Sequence, residues 1–173
     1  YTLYYATNFM FTGLCVAIAF HARLFNIGGE GQAMLGGLGV ALACLYIPWP
    51  HWSLALIGAA AMAAVFGAAW AAIPAFLQAK RGSHIVITTI MFNFIAATLI
   101  VYLLVEVMGK TGSMQPETPD FPKQAVLTPI HELLGTFGLK LPSTPLNTSF
   151  LLALASLVAV WALIYRSRLG YAI

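Results

Sequence analysis

The distribution of charged residues constrains this sequence more than any other feature. All Asp, Glu, Lys and Arg residues fall outside five windows, which are residues 3–20, 33–50, 52–79, 85–105 and 149–165. An α-helix rises 1.5 Å per residue, so about 20 residues cross a hydrocarbon core about 30 Å thick. A soluble protein would bury one or two such helices, not five. The windows therefore predict an all-α, polytopic transmembrane bundle of about five helices.

The composition excludes several other classes of protein. Hydrophobic residues make up 61% of the chain and charged residues only 8%, whereas soluble domains carry roughly a quarter charged residues. The net charge of +3 comes from scattered bases without a basic patch, so we expect no nucleic-acid binding. Neither the two cysteines nor the four histidines have the spacing of metal ligands. We expect no metal and no cofactor.

The basic residues predict the orientation of the helices, because Lys and Arg beside a membrane span resist translocation. The segments after the first, third and fifth windows hold five bases and one acid, which are Arg23, Lys80, Arg81, Arg166, Arg168 and Glu30. The long segment 106–147 holds three bases, four acids and six prolines. Residue 1 is therefore predicted outside, residue 173 in the cytoplasm, and 106–147 as an external loop. Within the loop, Thr128-Pro129 predicts the start of a short amphipathic helix, lying on lipid headgroups or beneath a partner.

Small residues in the third window predict how the helices pack. Two adjacent rows repeat at i, i+4 spacing: Ala59, Ala63, Gly67 and Ala71, and then Ala60, Ala64, Ala68 and Ala72. Lipid gives helices no hydrophobic drive to associate, so close contact between small faces has to hold them together. This helix is expected to be central in the bundle. Pro74 is expected to kink it near its cytoplasmic end.

The most unusual segment lies between the first two windows. We call residues 26–32, Asn26-Ile27-Gly28-Gly29-Glu30-Gly31-Gln32, the glycine corner. Its three glycines are expected to break a helix. One interpretation is a flexible cytoplasmic turn with a solvated Glu30. The other is a broken or re-entrant element whose backbone lines a cavity on a transport route. A phosphate-binding loop is excluded, because no Walker or G-x-G-x-x-G spacing is present.

Several strings across nearly the whole chain resemble a known family. They are Ala6-Thr7, Thr12-Gly13-Leu14, Leu24-Phe25-Asn26-Ile27-Gly28 with Glu30-Gly31-Gln32, Ala79-Lys80-Arg81-Gly82, Ile87-Thr88-Thr89-Ile90-Met91 with Asn93, and Ile95-Ala96. The chain resembles the permease subunits of bacterial ABC importers, in the nucleoside and simple-sugar branch near the branched-chain amino acid and ribose permeases. It departs from that pattern at Asn8, His21, Gly29 and Ser83-His84, where other residues are common.

The resemblance implies a subunit that forms a translocation pathway in the bacterial cytoplasmic membrane and does no chemistry itself. Its implied partners are cytoplasmic ABC ATPase subunits, a second permease subunit and an extracytoplasmic solute-binding lipoprotein. Family members are about twice this length, so residues 1–173 are expected to form the N-terminal part of one permease domain. Arg168, Leu169, Gly170 and Tyr171 resemble the entry to the cytoplasmic segment that docks into the ATPase.

Six polar residues are candidates for the solute pathway, which are Asn26, Glu30, Gln32, Thr88, Thr89 and Asn93. Thr89 and Asn93 are four residues apart and should share a helix face. The alternative for the threonines and Asn93 is hydrogen bonding between helices or back to their own helix. The alternative for Glu30 is a structural cap that accepts N–H groups at the start of the second helix.

Two other functions compete with that of an importer permease. An intramembrane enzyme would need a catalytic constellation inside the windows, yet none of them contains an Asp or Glu. An ion-coupled secondary transporter or channel usually needs a buried carboxylate, and Glu30 is the only candidate. The energy source of transport distinguishes the carrier from the importer.

Overall fold

The computed structural model describes residues 1–110, 112–127, 129–135 and 142–172, and these residues form helices joined by turns and loops. The α-helices are α1 (Thr2–His21), α2 (Gly29–Tyr46), α3 (Trp52–Arg81), α4 (Ile85–Tyr102), α5 (Ile130–Gly135), α6 (Ser149–Arg166) and α7 (Arg168–Ala172). A π-helical turn, Leu103–Val107, extends α4, and a 3₁₀ turn spans Lys123–Ala125. The all-α prediction is confirmed.

Four helical segments of the described chain are long and apolar enough to cross a membrane, one fewer than the windows predict. They are Thr2–His21, Trp52–Arg81, Ile85–Val107 and Ser149–Arg166. The second window does form a helix, but α2 begins at Gly29, four residues before the window does. Its first turn therefore contains Glu30 and Gln32, which lower its apolar character. The chain is a multi-pass membrane protein in which α2 is the least apolar of the long helices.

The chain divides into two packing units, Phe25–Val126 and Tyr1–Leu24 with Leu127–Ile173. In the first, α2 and α3 pack antiparallel. The side of α3 that meets α2 is the row Ala59, Ala63, Gly67 and Ala71, which is buried or half-buried, whereas Ala60, Ala64, Ala68 and Ala72 are exposed. Seven buried residues lie on α2 and three on α3. The expectation that α3 is the central helix is therefore wrong for this unit, in which α2 is enclosed most.

Glycines on α2 allow its backbone to approach α3 closely. A Cβ atom at Gly39 would lie 2.6 Å from the Met62 carbonyl oxygen, and one at Gly36 would lie 3.4 Å from that of Ala63. The turn between the helices is fastened by Trp49, whose Nε1 donates to the Ala43 carbonyl at 2.8 Å and whose ring covers Gly58. Trp49 is thus a packing residue, while Tyr46 and Trp52 are exposed as an aromatic belt requires.

The predicted loop 106–147 begins two residues later than expected, because the π-helical turn continues α4 to Val107. Its first part is held by an ion pair between Lys110 Nζ and Asp120 Oδ2 at 2.9 Å. The hydrogen bond to Asp120, and then its charge, raise the pKa of Lys110. The predicted loop helix is present as α5. Thr128, expected at its start, lies outside the described residues.

The other packing unit pairs α1 with α6. Near the start of α6, the Ile130 N–H donates to the Leu146 carbonyl at 2.9 Å, which ties α5 to this region. At the other end, His21 in the last turn of α1 contacts Gly170 of α7 and the ring of Tyr165. The C-terminal ends of α1 and α6 therefore lie at the same end of this unit.

We expect Gly39→Ala to destabilise the protein and Gly37→Ala to leave it as stable or more so. The new methyl group at position 39 would collide with backbone, which cannot swing away, so we expect a loss of about 1–3 kcal/mol. Gly37 is on the same helix with nothing within 4 Å of its Cβ position, so alanine there adds helix propensity of up to about 1 kcal/mol. Thermal unfolding in detergent, followed by tryptophan fluorescence, measures both. Equal melting temperatures would contradict the close packing.

Candidate functional site: the glycine corner

The glycine corner folds as the start of a helix. The Asn26 side chain turns back on the chain, and its Oδ1 accepts a hydrogen bond from the Gly28 N–H at 2.8 Å. Gly28 is the N-cap of α2, and Gly29 and Gly31 are already helical. The expectation that the three glycines break a helix is therefore wrong at two of them. The non-helical residues are 22–28, between α1 and α2.

Asn93 of α4 clamps this helix start with both ends of its carboxamide. Its Oδ1 accepts from the Gly31 N–H at 2.9 Å, and its Nδ2 donates to the Ile27 carbonyl at 3.0 Å. The first four N–H groups of any helix lack partners within the helix. Asn93 supplies a partner to one of them and also holds Ile27, in the non-helical segment that precedes the helix.

The absence of side chains at Gly28 and Gly31 brings other polar groups together. A Cβ at Gly28 would lie 3.2 Å from Thr89 Cβ and 3.3 Å from Gln32 Nε2. A Cβ at Gly31 would lie 3.0 Å from Asn93 Oδ1. Four of the six predicted pathway residues therefore gather around two glycines: Asn26, Gln32, Thr89 and Asn93. The prediction that Thr89 and Asn93 share a helix face is confirmed.

The glycine corner packs against the middle parts of α3 and α4. Gly31 lies against Trp70 of α3 and Asn93 of α4. Trp70 is eleven residues from Arg81, or about 16 Å along α3, and Asn93 is eight residues from Ile85, or about 12 Å along α4. The basic turn between α3 and α4 is therefore well separated from the corner. This geometry favours a re-entrant element over a solvated turn, since Gly28 and Gly31 are buried in protein.

The two threonines differ in their surroundings. Thr89 is 1% exposed, and its hydroxyl donates to the carbonyls of Ile85 and Val86 in its own helix. Thr88 is half-buried, and its hydroxyl donates to the His84 carbonyl at 3.0 Å. Both threonines therefore donate back to their own helix, as the alternative to a pathway role predicts. Their hydroxyl oxygen atoms can still accept hydrogen bonds.

Glu30 points out of this cluster. Its side chain is exposed, and among the described residues it has neither a hydrogen bond nor an ion pair. The cap role considered for Glu30 is therefore not seen, because Asn26 and Asn93 bind the N–H groups of the corner instead. Its carboxylate remains the one formal charge of the corner.

Trp70 is the residue that sequence reasoning missed. Its indole Nε1 is buried and has no hydrogen-bond partner within the described residues, while its ring meets Phe92 edge-on at 5.4 Å. This nitrogen lies 3.0 Å from the position that a Gly31 Cβ would occupy. One feature of the sequence could have identified it. Tryptophan prefers the two membrane interfaces, whereas Trp70 lies well inside α3, away from both of its ends.

The predicted coupling residues form the short helix α7. Leu169 and Tyr171 are 63% and 88% exposed, and Arg168 is exposed beside them. Gly170 is buried, because a Cβ there would meet the carbonyl oxygens of Ile164 and Leu163. The helix therefore presents two large apolar side chains outward while its glycine faces the end of α6.

Taken together, the long apolar helices and the uncharged polar cluster between them define a membrane protein with a hydrogen-bonding interior and no acid or base inside the cluster itself. Among the described residues, no three His, Cys, Asp or Glu side chains gather as metal ligands. The chain belongs to the family described as "Branched-chain amino acid transport system / permease component", which matches residues 1–173.

Three relatives carry the same resemblance further. The chain is 36% identical to the glucose ABC transporter permease protein TsgB13 of Haloferax volcanii, over 96% of this chain and 43% of the relative. It is 32% identical to the guanosine ABC transporter permease protein NupP of Bacillus subtilis, over 98% of this chain and 46% of the relative. It is 30% identical to the nucleoside ABC transporter permease protein NupB of Lactococcus lactis, over 94% of this chain and 44% of the relative.

The resemblance to the nucleoside and simple-sugar permeases is thereby confirmed. The chain spans less than half the length of each of these relatives. No solved structure matches it.

We expect Asn93→Ala to loosen the glycine corner more than any nearby polar substitution. Removing the carboxamide leaves the Gly31 N–H and the Ile27 carbonyl without their partners. Hydrogen–deuterium exchange in detergent should therefore quicken about tenfold for residues 27–31, in line with the loss of one net hydrogen bond. Thr98→Val on the same helix is the control, because the Thr98 hydroxyl bonds only to its own helix. Unchanged exchange in the Asn93 variant would contradict the clamp.

Proposed function

We propose that this chain is part of the transmembrane permease subunit of an ATP-driven ABC importer. Its solute would be a nucleoside or a related small polar compound such as a simple sugar. The family match over residues 1–173 is the observation that carries this proposal. The names of the three relatives supply the solute class.

The uncharged polar side chains around Gly28 and Gly31 support an uncharged, hydroxyl-rich solute. Asn26, Gln32, Thr89 and Asn93 offer amide and hydroxyl groups, which pair with the hydroxyls of a sugar or ribose without a net charge. Polar residues in spanning helices are enriched along solute pathways because they are costly elsewhere in the membrane. We therefore assign the pathway to Asn26, Glu30, Gln32, Thr88, Thr89 and Asn93, with Thr88 at its edge.

The proposed partners are those that the resemblance to ABC importer permeases implies. The permease holds two packings of similar free energy, and ATP-driven closure of separate cytoplasmic ATPase subunits favours one over the other. The permease itself performs no chemistry. A second permease subunit would complete the pathway, and an extracytoplasmic binding lipoprotein would deliver the solute. We place the coupling contact at Arg168, Leu169, Gly170 and Tyr171, whose outward apolar side chains suit a protein partner.

The charges support the orientation. With five bases beside the first, third and fifth windows, residue 1 lies outside and residue 173 lies in the cytoplasm of a bacterial inner membrane. The coupling helix then faces the compartment that contains ATP. The proximity of the C-terminal ends of α1 and α6 agrees with this arrangement, since both ends carry bases.

A second candidate function is an ion-coupled carrier that uses Glu30 as its coupling carboxylate. Ion coupling usually needs a buried carboxylate, whereas the Glu30 side chain is exposed, so the importer is the first proposal. The two functions differ in their energy source. We expect uptake of labelled nucleoside or sugar by cells carrying the full-length protein to stop on ATP depletion and to survive a protonophore. A detergent pull-down should also recover an ATPase subunit. Uptake that survives ATP depletion, with no ATPase recovered, would favour the carrier.

We expect Glu30→Gln to lower uptake about tenfold, or about 1.4 kcal/mol, without lowering the amount of protein in the membrane. The carboxylate makes no contact that stabilises the fold among the described residues, so a pathway role should appear in transport alone. Glu106→Gln is the matched control, since Glu106 is also exposed but belongs to the predicted outer side. Normal uptake by the Glu30 variant would remove this residue from the pathway, as would reduced uptake explained entirely by reduced expression.

A further inference from the structure

One serine and one glycine fix the turn between α6 and α7. α6 ends at Arg166, and Ser167 adopts an extended conformation at φ −109° and ψ 155° before α7 begins. The Ser167 hydroxyl donates to the Leu163 carbonyl at 2.5 Å and accepts from the Gly170 N–H at 3.2 Å. Ser167 therefore caps the start of α7 in the usual way of an N-cap serine. Gly170 is needed because no side chain fits against the end of α6.

A residue from the opposite end of the sequence holds the same glycine. His21, in the last turn of α1, places Nε2 3.3 Å from the Gly170 carbonyl oxygen, and its ring meets Tyr165 edge-on at 6.5 Å. An Nε2–H group donates to this carbonyl. The peptide groups of Gly170 are thus held on both sides, by Ser167 at the nitrogen and by His21 at the oxygen.

We propose that His21 is a positioning residue that fixes the orientation of α7 on the end of α1. Because Gly170 is anchored by its backbone, the exposed Leu169 and Tyr171 on either side of it are held in fixed positions on α7. A displacement of α1 is then transmitted to α7 through this hydrogen bond and through α6. The proposal rests on the proposed function insofar as α7 is the contact with the ATPase. The anchoring of α7 by His21 stands apart from that assignment.

Two variants separate the hydrogen bond from the packing. His21→Phe keeps an aromatic ring against Tyr165 but removes the donor. His21→Gln keeps an N–H donor at about the reach of Nε2. Tyr165→Phe is the control at the same place, because it keeps the ring that His21 contacts and removes only a hydroxyl.

The first measurement is hydrogen–deuterium exchange of residues 168–172 in the full-length permease, which needs no partner. We expect exchange there to quicken about fivefold in His21→Phe, and to stay near the native rate in His21→Gln and Tyr165→Phe. Unchanged exchange in His21→Phe, or equal loosening in all three variants, would overturn the anchoring role whatever the partner of α7 is.

The second measurement is transport by the assembled complex in proteoliposomes, recorded as solute taken up per ATP hydrolysed. We expect His21→Phe to lower this ratio about fivefold, with the solute concentration for half-maximal uptake unchanged, and His21→Gln to restore it. A ratio that stays native in His21→Phe while the protein is merely less abundant or melts earlier would show a structural role and overturn the proposal. Native protein that binds no ATPase would instead refute the proposed function, and the exchange result would still decide the anchoring.

Discussion

The structure of residues 25–126 depends on how the first turn of α2 satisfies its backbone inside a protein of apolar helices. In hydrocarbon an unpaired N–H costs several kcal/mol, so a helix can begin there only if side chains supply acceptors. Asn26 and Asn93 do so for the Gly28 and Gly31 N–H groups. Because Gly31 has no side chain, Asn93 can reach its backbone, and Trp70 can pack against the same position. The close packing of α2 on both neighbours follows from these contacts.

The sequence predicts the helices well and their contacts poorly. Charge-free windows locate α1, α3, α4 and α6 to within a few residues, since an apolar segment of about 20 residues in lipid satisfies its backbone hydrogen bonds by forming a helix. The start of α2 is misplaced by four residues, because the propensity of Gly29 and Gly31 opposes a helix that tertiary contacts enforce. The small residues of α3 narrow its contact face to two adjacent rows but do not select the one that meets α2, since both rows allow close approach.

The candidate site is predicted only in part for a similar reason. The resemblance to the permease family and the polarity of the side chains select residues that the structure does bring together, which are Asn26, Gln32, Thr89 and Asn93. Their arrangement is not readable from spacing, because Asn93 meets Ile27 and Gly31 across more than sixty positions. Trp70 escapes notice because tryptophan is common in packing and at interfaces, and only its unpaired buried nitrogen distinguishes it. The role of His21 likewise depends on a contact with a residue 149 positions away.

The two kinds of contact in residues 25–126 imply different freedom of movement. Between α2 and α3 the backbones approach so closely at Gly36 and Gly39 that sliding would drive peptide groups into one another. At the start of α2, two hydrogen bonds from the Asn93 side chain add to the packing of Gly28 and Gly31 against α4, and hydrogen bonds of this kind exchange partners at little net free energy. A rearrangement that alternates access would therefore move α2 and α3 together and change the contacts of Asn93. The glycine corner is then the part of this unit where the packing of its helices can change at the lowest free energy.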